Sequence, residues 1–242
     1  MKKLRLGEFE RNSLVVFAIT MIANVLSYLY QIVMGNVLIP ADYGTVNTLL
    51  SLSVVVGVPS GIISALTATY TAKYHAHGET FAIAAFMHGM LRVAAVLAAI
   101  VFVVGALLSR PIAHVLQIDD PHYVTVVMVL VASNCLGPVF SSTLQGVKRF
   151  IPYSMNSVLS FAFRLLLGVI FVWLGWGIPG ALAALILAAC LTMLYCLFKS
   201  RDLFFAPVKE NLAMDRTEIR RYFVSTFWFQ LFLLLMANGD VL

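Results

Sequence analysis

Long apolar runs alternate with short polar breaks along almost the whole chain. The runs occupy residues 14–39, about 46–70, 81–108, 124–144, 151–174 and 178–198, and a seventh begins near residue 222 and continues to residue 242. About 20 residues at a rise of about 1.5 Å span a hydrocarbon core of about 30 Å. Each run is therefore expected to form one membrane-crossing helix. The runs are apolar all round, whereas strands of a membrane barrel alternate every residue over about 10 positions. Helices also satisfy their own backbone groups, which hydrocarbon demands. The expected fold is an all-α polytopic membrane protein.

The polar breaks set the domain organisation. Residues 1–198 are expected to form a six-helix lobe, 199–221 a cytoplasmic linker, and 222–242 the first helix of a second lobe. The linker carries Asp215 and Glu218, which match an N-cap and the third helical position of a helix start. Residues 203–207 read either as a segment at headgroup level or as a plain loop. The first run is longer than the 7–15 residue core of a signal peptide and lacks a small-residue cleavage pattern, so it is expected to be a helix of the bundle.

Composition strengthens this picture. Hydrophobic residues make up 61% of the 242 residues and charged residues 11%, against about 45–50% and about 25% in soluble domains. That excludes an ordinary soluble enzyme, a DNA-binding protein and a disordered tail. The net charge of +5 then points to cations held at one membrane face rather than to nucleic acid. With the N-terminus in the cytoplasm, 13 of the 16 Lys and Arg residues lie inside, Arg110 lies outside, and Arg92 and Arg164 fall within spans. This asymmetry fixes the expected orientation. Cys135, Cys190 and Cys196 sit in apolar runs as small hydrophobes. No disulfide framework, metal site or cofactor is expected.

Polar side chains inside spans carry the functional signal, because they normally face a bundle interior or a wet cavity. The first run carries Asn24, Ser27, Tyr28, Gln31 and Gly35 at spacings of three and four, hence on one face. The fifth carries Asn156, Ser160, Arg164 and Gly168, each four apart. The second carries Asn47 and Ser51, then Ser60, Ser64, Thr67 and Thr71 beyond Pro59; the fourth carries Ser133 and Asn134. Small and hydroxyl residues also serve plain helix packing, and that reading stands beside a cavity for every single Ser or Thr.

Arg164 is the sharpest signal. It lies 13 residues beyond Ile151, roughly 20 Å along a helix, where its guanidinium reaches neither interface. A cavity holding an anionic substrate would repay much of its burial cost; a structural bond to helix-end carbonyls is the alternative. Arg92, with His88 one turn before it, either lines the cavity or snorkels to the cytoplasmic interface. His75 and His77 lie in a cytoplasmic turn and are weak grounds for a metal. Asp240, the one acid in an expected span, is an ion-coupling candidate or an interfacial acid at the outer helix end. Pro59 and the Gly137–Pro138 pair predict kinks. Such breaks line cavities in many transporters and also occur as packing geometry.

Several short motifs resemble those of the Wzx-type polysaccharide and O-antigen flippases. LIPADYG at residues 38–44 resembles their turn between the first two helices, and QGVKRF at 145–150 resembles a cytoplasmic turn. RLLLG at 164–168, GWGIPG at 175–180 and NGD at 238–240 are similar as well. The resemblance covers essentially the whole chain and places it in the multidrug/oligosaccharidyl-lipid/polysaccharide exporter superfamily. It implies two six-helix lobes around a central cavity that opens alternately to either side. This chain is shorter, with one lobe and the start of the next, and reads as a truncated form; a lobe working as a dimer is the other possibility. No arginine in the first helix matches those of the lipid II flippases of the superfamily.

The function implied is flipping of undecaprenyl-linked oligosaccharide across the bacterial cytoplasmic membrane for polysaccharide or O-antigen export. Asn24, Tyr28, Gln31, Asn47, Arg92, Asn156, Ser160 and Arg164 are the expected cavity residues. Expected partners are that substrate, membrane lipid and a second lobe or second copy, with no nucleic acid. A multidrug and toxin extrusion carrier moving organic cations would need an acidic cavity. A lipid-linked transferase would need convergent acids, bases or metal ligands, and no such motif occurs, so no enzyme is expected. A non-functional truncated remnant is the remaining alternative.

Overall fold

A computed structural model describes residues 4–118 and 120–206, together with residues 226 and 228. The main helices are α1 (Leu4–Val37), α2 (Pro40–Val56), α3 (Val58–Ala76), α4 (Thr80–Leu107), α5 (Ser109–Val115), α6 (Pro121–Gly146), α7 (Phe150–Trp173) and α8 (Gly177–Phe204). No strand occurs among the described residues. Helices α1, α4, α6, α7 and α8 are each long and apolar enough to cross a membrane, and α2 with α3 are so together, as a pair bent by 48°. The six runs of the lobe thus correspond to five such helices and one bent pair. The expected seventh helix, Asp240 and the linker beyond residue 206 lie outside the described stretch.

The bend falls at Gly57, between two helices that hydropathy merges into one run. Pro59 occupies the first turn of α3, where its missing N–H breaks no helical bond. The Gly57 N–H still donates to the Ser53 carbonyl at 2.9 Å. Pro138 behaves differently. Helix α6 runs through it without interruption, so the carbonyl of Asn134 loses its intrahelical donor on that turn.

Two other features differ from the sequence expectation. The connection after α4 contains the short helix α5, which buries Ala113. Helix α8 continues to Phe204, so residues 199–204 are its final turns rather than linker. Packing explains the extension: Leu203 is buried, and Phe204 stacks on His88 of α4 at 4.4 Å and meets Phe140 of α6 edge-on.

Helix α6 is the central post, in contact with α2, α3, α4, α5, α7 and α8. Helix α1 stands at the side of the lobe, packed chiefly on α7. Three apolar clusters hold the bundle. One joins the ends of α1 and α2 with α5, α6 and α8 through Met34, Leu49, Val127 and Leu182. A second joins α3, α4 and α6 through Ile63, Phe86 and Val139. The third joins α4, α6 and α8 through Met87, Leu144 and Cys196.

The recurring turns have clear structural work. In residues 38–44, Ile39 is extended, Pro40 starts α2, and the Tyr43 ring covers Gly35 at the end of α1. In residues 145–150, Lys148 adopts a left-handed conformation (φ 62°) and the Arg149 N–H returns to the Leu144 carbonyl at 2.8 Å. The Arg149 side chain then grips α8 by donating to the Lys199 carbonyl and to both oxygens of Asp202. The turn from α7 to α8 needs glycine twice, at Gly175 (φ 83°) and Gly177 (φ 49°).

Candidate functional site: a polar cavity with one cation

A cavity of about 540 Å³ opens among α2, α3, α6, α7 and α8. Helix α7 contributes Asn156, Ser160 and Arg164, one turn apart, so they form a single row along its inner side. Helix α6 contributes Ser133, Asn134, Gly137, Pro138 and Ser141, again at helical spacing. Ser53, Gly57 and Ser60 come from the bend between α2 and α3, and Thr192 and Cys196 from α8. Polar groups from five helix segments therefore converge in the middle of an otherwise apolar bundle.

Several of these groups are already held. Cys196 Sγ donates to Asn156 Oδ1 at 3.2 Å, fixing α7 to α8. Ser60 donates to the Gly57 carbonyl, Ser133 to the Val129 carbonyl and Thr192 to the Ala188 carbonyl, each bond within its own segment. Such hydroxyls retain lone pairs for a ligand.

Arg164 stands apart from this set. Its guanidinium lies over the Phe161 ring, 5.5 Å from the centroid. Its Nε is buried without a hydrogen-bond partner among the described residues, so no bond from that atom to a helix-end carbonyl anchors it. Among the described residues it is the one charged residue lining the cavity, and no acid lines it. An arginine in that setting is a strong donor in search of an anion.

Five of the eight expected cavity residues are not brought to this cavity. Asn24, Tyr28 and Gln31 share a face, but it is the exposed face of α1; Ala23, Tyr30 and Met34 turn inward instead. The reason is steric: α1 meets α7 at Gly168, where Met34 and Tyr30 fill the space a side chain would take. Asn47 is exposed on α2, and Arg92 is exposed on α4 opposite its buried Met87–Met90–Ala94 side. Sequence reasoning missed Ser53, Ser141, Thr192 and Cys196 as wall residues. The spacings 133–137–141 on α6 and 185–189–192–196 on α8 carried a signal, hidden because apolar and small residues interrupt it. No cluster of three or more His, Cys, Asp or Glu side chains able to hold a metal occurs among the described residues.

A profile of the family described as polysaccharide biosynthesis protein matches residues 9–241. The chain belongs to this family. No curated protein matches it. Among solved structures, it is similar to a MOP superfamily transporter from Pyrococcus furiosus, with a TM-score of 0.69 at 16% identity, covering 91% of this chain and 52% of the other. It is also similar to the Vibrio cholerae MATE transporter VcmN in its bent form, with a TM-score of 0.73 at 15% identity, covering 96% and 57%. The polysaccharide biosynthesis chain therefore has the fold of a six-span lobe of MOP-type transporters, and it spans about half the length of the structures it matches. The Pyrococcus structure is described as having a binding pocket of reversed polarity that suggests a different function.

Proposed function

We propose that this chain forms part of a transporter that flips undecaprenyl-linked oligosaccharide across the bacterial cytoplasmic membrane, its N-terminus facing the cytoplasm. The observation that carries the reading is Arg164, a lone cation on a wall of hydroxyls and amides. A sugar diphosphate headgroup has both negative charge and many hydroxyls, and bare hydrocarbon would exclude it. Arg164 supplies the countercharge, while Asn156, Ser160, Ser133 and Thr192 match sugar hydroxyls. Alternating access would carry the headgroup past this row.

The exposed stripe of Asn24, Tyr28 and Gln31 belongs to the same reading. Polar side chains turned to acyl chains are costly, so this face of α1 is proposed to meet a second lobe or a second copy. The test is Arg164→Ala in cells that depend on the protein for surface polysaccharide. Export is expected to fall and the lipid-linked intermediate to accumulate, with the protein still folded and in the membrane. Unchanged export would overturn the reading.

The likeness to MATE structures supports a second reading, extrusion of organic cations. The positive cavity opposes it, since a cation would meet repulsion from Arg164. Efflux of a cationic dye that survives Arg164→Ala, with polysaccharide export unaffected, would favour the second reading.

A further inference from the structure

Two buried donors at the junction of α1 and α7 lack an acceptor among the described residues. One is the Nε–H of Arg164 and the other is the phenol of Tyr30. Tyr30 is only 9% exposed and sits on the inward face of α1, next to Met34. Its ring meets α7 at Gly168, where a Cβ would lie 3.6 Å from Tyr30 Cε2. Gly168 is one turn beyond Arg164, roughly 6 Å along the helix. Helices α1 and α7 are the first and fifth spans and so run the same way, and helical side chains lean toward the N-terminus. The Tyr30 ring therefore reaches α7 at Gly168, one turn from the Cα of Arg164, and both side chains lean toward the same end of the lobe.

Arg164 can only donate. The phenol could accept from it, yet neither atom has a bonded partner among the described residues. A buried donor left unmade is more costly than a formed bond is favourable. The pair thus calls for one acceptor shared between them, and a phosphate oxygen has the charge and lone pairs to serve both.

We infer that Tyr30 and Arg164 are the two arms of one phosphate-oxygen site, Tyr30 donating its O–H and Arg164 its Nε–H. The inference rests on the anionic-substrate reading above and deepens it. It adds α1 to a cavity otherwise walled by α2, α3 and α6–α8, so that an occupied site ties α1 to α7. The chemistry is common to a lipid-borne diphosphate and to a free phosphate anion.

The test is calorimetric titration of the purified chain in detergent, with inorganic pyrophosphate in one arm and farnesyl diphosphate in the other. Wild type is expected to bind, and Arg164→Gln to lose binding. Tyr30→Phe keeps the ring on Gly168 and is expected to weaken binding about tenfold, the worth of one hydrogen bond to a charged group, with no fall in melting temperature. Tyr30 dependence in both arms supports a site for phosphate itself, and dependence with farnesyl diphosphate alone supports a lipid-borne headgroup. If Tyr30→Phe binds as wild type while Arg164→Gln does not, the role of Tyr30 is overturned and the cavity reading survives. If Arg164→Gln also binds as wild type, both fall. A lower melting temperature for Tyr30→Phe with unchanged affinity makes the phenol a packing group and overturns the inference.

Discussion

Gly146 of α6 faces Thr71 of α3 so closely that a Cβ on the glycine would lie 2.7 Å from the Thr71 Cβ and 2.9 Å from the Ala68 carbonyl oxygen. Neither atom can swing away, since one is at the root of a side chain and the other is backbone. Gly146→Ala is therefore expected to push α3 from α6 and destabilise the lobe by about 1–3 kcal/mol, the usual cost of overpacking. Thermal unfolding of the detergent-solubilised variant measures it. A melting temperature equal to wild type would refute the close approach.

Ser64 and Ser142 bond to each other across the same interface at 2.8 Å. Removing one hydroxyl leaves the other without that partner, whereas removing both leaves two apolar surfaces. Ser142→Ala is expected to cost about 0.6 kcal/mol, the average for such bonds between membrane helices. The Ser64→Ala/Ser142→Ala double variant should cost little more than either single change. Additive losses in a double-mutant cycle would argue against a direct bond.

Arg149 ties the turn between α6 and α7 to the end of α8 through Asp202 and the Lys199 carbonyl. Both side chains of the ion pair are about half exposed, 41% and 51%, so the pair itself is worth about 0–1 kcal/mol and weakens in salt. Asp202→Asn should scarcely move the melting temperature. Arg149→Ala also loses the carbonyl bond and should cost more. Equal effects of the two substitutions would assign the whole contribution to the ion pair.

Arg164 provides a test that separates stability from function. A cation held inside a span, with no acid on its cavity wall among the described residues, costs at least about 2.5 kcal/mol by insertion scales. Arg164→Met keeps the length and removes the charge. The variant is expected to melt no lower than wild type, while polysaccharide export falls. A marked loss of stability would give Arg164 a structural role instead.

Gly168 decides how near α1 stands to α7. Its absent Cβ would lie 3.3 Å from the flexible Met34 Sδ. Gly168→Ala should be tolerated within about 1 kcal/mol because a thioether repacks easily, whereas Gly168→Val, a bulkier intrusion, should cost about 1–3 kcal/mol. Chemical denaturation of both variants would reveal the difference, and equal stabilities would place α1 farther from α7.

The sequence by itself determined the six spans, because run length against bilayer thickness is a local property that needs no neighbours. It also determined the row Asn156–Ser160–Arg164, since a spacing of four places residues on one side of any helix. The break at Gly57 was only half legible: Pro59 announced it, but hydropathy runs through it undisturbed. The tertiary structure alone decided which way each helix is turned about its own axis. In a lobe where nearly every face is apolar, polarity exerts little torque on a helix, and close contact sets the rotation. Gly168 admits Tyr30 and Met34, so α1 presents those residues inward and leaves Asn24, Tyr28 and Gln31 outside. The long-range bonds from Arg149 to α8, and the reach of α8 to Phe204, likewise depend on partners some 50 or more positions away in the chain, which no local pattern encodes.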